Sequence, residues 1–118
     1  MLREHSAGER NKQITIQQLT QDEDSSGMPL EVWTTLTTAQ ASYMPLGGRE
    51  RLAADHLTSP FDGQFQMAYR PDMDPNLLNV PKMRRIVYDG RVHDIVAASM
   101  VGQKRAVELM TASGGATA

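Results

Sequence analysis

Apolar and polar positions alternate in short runs, and the runs are separated by turn residues. Residues 12–19, KQITIQQL, set Ile14 and Ile16 against Thr15 and Gln17, the period of two that marks a half-buried strand. The acidic, Gly- and Pro-containing stretch 20–29, TQDEDSSGMP, predicts a turn or a long hairpin loop. Residues 30–44, LEVWTTLTTAQASYM, carry Thr34, Thr35, Thr37 and Thr38, and β-branching there favours a strand. That run is long enough to be a bent strand, and Pro45 ends it because proline cannot donate to a ladder. The period then changes. Leu46, Leu52, Ala53 and Leu57 share one face of a short helix, which Pro60 closes.

Residues 64–70, QFQMAYR, alternate Phe65, Met67 and Tyr69 with Gln64, Gln66 and Ala68, the cleanest strand pattern in the chain. PDMDPNLLN, residues 71–79, predicts a loop. Residues 82–88 and 91–97 are apolar-rich runs joined by Asp89-Gly90, a strong local hairpin signal. Residues 101–110, VGQKRAVELM, fit a last strand or a short helix, and the strand is favoured, with Val107 and Leu109 on one face. TASGGATA, residues 111–118, has a disordered composition.

The expected fold is therefore mainly β: a small antiparallel barrel or sandwich of about six strands, with one short helix in a long inter-strand loop. The expected organisation is a flexible N-terminal arm (1–11), one domain (12–111) with a loop or helix insertion at 44–60, and a disordered tail (112–118). Ile14, Ile16, Trp33, Phe65, Met67, Tyr69, Ile86, Tyr88 and Ile95 are the candidate core.

Composition narrows the function. The chain has 118 residues and a net charge of −2, which speaks against a protein that grips many nucleic-acid phosphates but not against one that DNA slides past. It has no cysteine, so disulfides, Cys-type zinc sites and thiol nucleophiles are excluded. The polar start MLREHSAGERNK does not resemble a secretory signal. No apolar run approaches the roughly 18 residues of a membrane helix, so no membrane partner is expected.

Candidate chemistry is sparse. Gly47-Gly48-Arg49 sits at a strand-to-helix change, yet a phosphate loop needs further glycines and a Lys with Ser or Thr. The glycines read better as a turn out of the strand, and Arg49, Glu50 and Arg51 as a solvated or inter-subunit charge set. His56 and Asp55 point in different directions on a helix, and His93 and Asp94 lie on opposite faces of a strand. No two histidines have the spacing of a helical metal site, and no nucleophile elbow is present. No enzyme, cofactor or metal site is expected.

An ordered set of segments remains: RNKQITIQQL, an acidic turn with Gly27, EVWTTLTTAQASYMPLGGRE, FQMAYR and MRRIVYDGRVHDIVAAS. It resembles the phage head–tail joining (head-closure) proteins. The matching residues are Arg10, Ile14, Ile16, Gly27, Trp33, Ala41, Pro45, Gly48, Arg49, Glu50, Tyr69, Arg70, Arg84, Tyr88, Gly90, Arg91, Asp94 and Ile95, within residues 10–110. The segment 71–80 is longer than that pattern expects.

The resemblance implies a small β-barrel virion protein in a homo-oligomeric ring, a dodecamer favoured over a hexamer. The ring would sit between portal or adaptor and a tail-completion or tail-tube protein, with double-stranded DNA in its lumen. It also implies a stopper or adaptor role, with residues 44–60 as the loop that narrows the channel. Candidate subunit or lumen contacts are Leu46, Gly47, Gly48, Arg49, Glu50, Arg51, His56, Leu57, Leu77 and Leu78. Neighbours in a ring could bury the apolar residues of long loops, and a mildly acidic wall would keep DNA from sticking. Two other classes stay open: a single-stranded nucleic-acid-binding barrel using Tyr69, Arg84, Arg85 and Tyr88, and a small enzyme using Asp55, His56 or His93.

Overall fold

The computed structural model describes residues 8–46 and 61–116. Six strands close into an antiparallel barrel in the order β1-β2-β3-β6-β5-β4. They are β1 (Lys12–Glu23), β2 (Pro29–Pro45), β3 (Gly63–Ala68), β4 (Arg84–Tyr88), β5 (Arg91–Val101) and β6 (Ala106–Ala116). Closure pairs β4 back onto β1, Ile16 opposite Ile86, and leaves the body of the barrel without a sheet edge.

Alternation along the staves fills the interior. Ile14, Ile16, Phe65, Met67, Ile86, Val107 and Leu109 are buried almost completely, and Ile95 nearly so. Tyr69 and Tyr88 pack half-buried against this core. Trp33 does not join it. β1 and β2 pair from Lys12↔Ala41 to Glu23↔Pro29, far beyond their contacts with β4 and β3, and Trp33 lies opposite Leu19 in that extension. It is half-buried on the outside, with the Arg85 guanidinium 4.6 Å over its ring. The alternation was the right signal for a strand, but this part of the strand has no barrel interior to face.

Other boundaries move for similar reasons. β1 runs through residues 20–23, where polarity predicts a loop, because both faces of an extended hairpin are wet. The turn is held by Asp24, whose Oδ1 accepts from Ser26 N (2.9 Å), Ser26 Oγ (2.7 Å) and Met28 N (2.9 Å); Gly27 supplies φ +83°. The β4–β5 turn has Asp89 and Gly90 at φ 53° and 75°, the two positive angles a two-residue hairpin requires. Residues 101–110 do not form one strand: Val101 ends β5, Gly102 and Lys104 turn the chain at φ 64° and 58°, and Ala106 starts β6. β6 continues to Ala116, opposite Arg91, beyond the boundary that composition sets at 111.

The described short helix lies in the β3–β4 connection rather than between β2 and β3. After a 3-10 turn at Pro71–Met73 comes α1 (Val80–Met83), entered through Asn79 with Pro81 in its first turn. The helix expected over residues 46–57 falls almost wholly outside the described residues. The long connection closes one end of the barrel, because Met73 and Val80 are fully buried in the core.

Candidate assembly surfaces

The β3–β4 connection is built to hold one shape. Tyr69 donates from its hydroxyl to Asp74 Oδ2 at 2.7 Å, and Asp74 Oδ1 accepts from Asn76 N at 2.8 Å. Arg70 grips Asp72 through Nε (3.0 Å) and Nη2 (2.9 Å), a two-point pair. Arg84 Nε donates to the Asp72 carbonyl at 3.0 Å. The hydrogen bonds from Arg70 hold the Asp72 carboxyl below its ordinary range. Leu78 packs on the core from this connection, whereas Leu77 is 67% exposed. Pro75, Leu77, Leu78 and Pro81 line an open groove of about 630 Å³ whose far side is Ala97 and Ala98. Of the contacts proposed from sequence, Leu77 and Leu78 thus meet at one surface. Leu46 sits elsewhere, half-buried, its N–H donating to the Asp62 carbonyl at 2.9 Å. Gly47, Gly48, Arg49, Glu50, Arg51, His56 and Leu57 lie outside the described residues, as does Asp55.

The other end of the barrel holds an aromatic cluster. Tyr43 lies 4.6 Å from Phe65 and 5.2 Å from Tyr88, centroid to centroid, and His93 sits 5.2 Å from Phe65. His93 is buried and its Nδ1 has no hydrogen-bond partner; Thr111 Oγ1, also buried, has none either. Burial pushes the imidazole below its ordinary pKa, so it is held neutral among the aromatic side chains. Burial likewise raises the Tyr43 phenol. Tyr43, Tyr69 and Tyr88 pack half-buried against the core rather than standing out as stacking platforms, and Trp33 is engaged by Arg85. Among the described residues, no three His, Cys, Asp or Glu side chains gather to hold a metal, and no helix is long and apolar enough to cross a membrane.

Two features escaped the sequence reading. Glu108 points to the outer wall, opposite Gln66 and Ser99, yet it is buried to 4% exposure, and burial raises its carboxyl pKa. Alternation alone assigns it to solvent. The second is the free part of the β1–β2 hairpin. It exposes Met28 (62%) and Leu30 (48%), and no third strand pairs with residues 19–33 among those described. The molecule is 48 Å long against 29 and 26 Å across.

A closed small barrel with a locked connection, an aromatic plug and a projecting hairpin is a structural module with surfaces for neighbours. Residues 5–114 match the family model of the phage head completion protein, so the chain belongs to that family and is a structural protein of the phage head. Protein SF1141 from Shigella flexneri 2a, known from a solution structure, has a similar fold: TM-score 0.71, 24% identity, 93% of this chain and 97% of that one. A chain from the virion of a native gene transfer agent particle is similar at TM-score 0.57 and 14% identity, over 86% of this chain and 91% of that one. No curated protein matches the sequence.

Proposed function

We propose that copies of this chain form a ring at the head–tail interface of a tailed phage or phage-derived particle. The ring connects portal or adaptor to the tail and helps retain packaged DNA. The observation that carries this reading is the match to the head completion family over residues 5–114. The architecture supports it. The closed barrel supplies a rigid unit, and the hairpin arm and the Leu77 groove leave apolar side chains exposed among the described residues. Twelve copies are favoured over six, and residues 44–60 are assigned to narrowing the channel. The protein works by occupying space and making contacts, not by a catalytic step.

Deleting residues 47–57 tests the assignment. The barrel is expected to fold, and particles made with it are expected to leak DNA or fail to join tails. Normal, infectious particles from that deletion would remove the DNA-retaining role.

A further inference from the structure

The hairpin arm and a cleft in the barrel wall are complementary in charge. Residues 19–33, LTQDEDSSGMPLEVW, contain Asp22, Glu23, Asp24 and Glu31 and no Lys, Arg or His. Asp24 is used inside the turn. Glu23 and Glu31 are exposed; Leu30 is exposed as well but pairs with Asp22 on the other face of the hairpin, and Met28 is exposed at the turn. Glu31 pairs with Gln21, and Glu23 with Pro29, so both carboxylates leave the same face of the hairpin.

The cleft lies where β2 and β3 part. Their pairing covers only Ala41 to Pro45 of β2, and a hollow of about 470 Å³ opens beyond it. It is lined by Arg10, Thr38, Gln40, Met67, Tyr69 and Arg70, among others. Arg70 is held by Asp72, and Tyr69 by Asp74. Arg10 differs: its Nη1 is buried and has no hydrogen-bond partner. Lys104 adds a second cation, with its Nζ 5.9 Å from the Tyr69 ring centre. The Nη1 atom itself is out of reach of solvent, so an incoming carboxylate would meet the guanidinium through the part of Arg10 that lines the hollow, where a charge-assisted pair is the stronger kind of hydrogen bond.

We propose that the acidic tip of one copy's β1–β2 hairpin seats in the Arg10 cleft of the next copy around the ring, with the face that carries Glu23 and Glu31 turned toward Arg10. Tip and cleft are different surfaces, so the contact is heterologous, and repeating it through a closing rotation gives a ring rather than a two-fold dimer. The free part of the arm projects about 17 Å, five residues at strand rise, enough to reach into a neighbour. This inference rests on the ring reading above and names the contact that builds it.

The chain has no native cysteine, so a designed pair reports cleanly. Glu31→Cys and Thr38→Cys lie seven positions apart on one strand, too far to bond within a chain. Oxidation of assembled particles carrying both is expected to give a ladder of covalent multimers ending in a closed ring. Imaged rings with no ladder overturn the contact and leave the ring reading standing. Particles without a ring of this protein overturn the ring reading. A product that stops at the dimer means reciprocal arm exchange and overturns the heterologous contact. Arg10→Glu is expected to lower incorporation into particles about tenfold or more, and Glu31→Arg with Glu23→Arg in the same chain to restore it. A barrel that melts normally and stays unincorporated in the triple variant overturns the pairing.

Discussion

β1 and β2 each have two lives. From Lys12 to Gln18, β1 is a barrel stave between β2 and β4, and Ile14 and Ile16 are buried to 1% and 0% exposure. From Leu19 to Glu23 the same strand belongs to a two-stranded arm that, among the described strands, pairs with β2 alone. β2 divides likewise, its Ala41 to Pro45 end bound to β3 and its Pro29 end free. In the stave, one face is dry, so side chains must alternate. In the arm, both faces meet water, so alternation is not required and acidic residues are tolerated at successive positions. Stability therefore concentrates in the barrel rather than in the arm.

The widest separation of the two regions is expected from truncation in the core. Phe65 is fully buried and touches Tyr43, Tyr88 and His93. Phe65→Ala should cost about 3–5 kcal/mol by urea unfolding, a large share of a small domain's total. A cost no larger than that of an arm substitution would break the comparison. Gly63→Ala is expected to cost less, about 1–3 kcal/mol. A β-carbon there would stand 3.0 Å from Tyr43 Cε1 and 3.2 Å from Thr111 Oγ1, both inside the plugged end.

A pH series sharpens the same point. His93 is held neutral by burial, below its ordinary value of 6.5. Below that value the unfolded chain takes up a proton that the folded barrel refuses, so stability falls as pH drops. Glu108 works in the opposite direction, because its raised pKa makes the folded state the better proton acceptor above the ordinary carboxylate range. The two are separated by comparing wild type with His93→Gln. The variant's melting temperature should fall less between pH 7.5 and 5.5 than that of the wild type, measured by circular dichroism. Equal slopes would mean that the plug does not sense acid through His93.

The division between stave and arm also explains what the sequence could disclose. Barrel membership was legible at Ile14, Phe65 and Ile86, where a dry interior enforces period two, and at Asp89-Gly90, where the turn demands positive φ. Trp33 misled because its strand pattern is real but its strand has left the barrel, and its face is covered by Arg85 instead. Residues 20–23 read as irregular because their side chains are polar, and residues 112–116 because their composition is that of a tail, yet backbone pairing to Pro29–Val32 and to β5 orders them. The locked β3–β4 connection was the hardest to foresee. Its order depends on Tyr69 reaching Asp74 and Arg70 reaching Asp72, pairings that no period in the sequence announces. Nothing in the sequence pattern marks Arg10 as a residue whose Nη1 is buried without a hydrogen-bond partner.

The smallest expected change in stability is also the most direct test of what the arm is for. Met28 and Leu30 are 62% and 48% exposed, so replacing both by serine removes little buried apolar area. The isolated protein should unfold within about 0.5 kcal/mol of the wild type. If the arm were only an overlong hairpin, nothing else would follow. If it is an assembly element, those side chains are buried in the particle, and the double variant should be displaced from heads by wild-type protein in a mixed expression. Equal incorporation of the two forms, counted by mass spectrometry of purified particles, would return the arm to the status of a wet hairpin. Strong displacement at unchanged melting temperature would place the functional free energy in the region that contributes least to the fold.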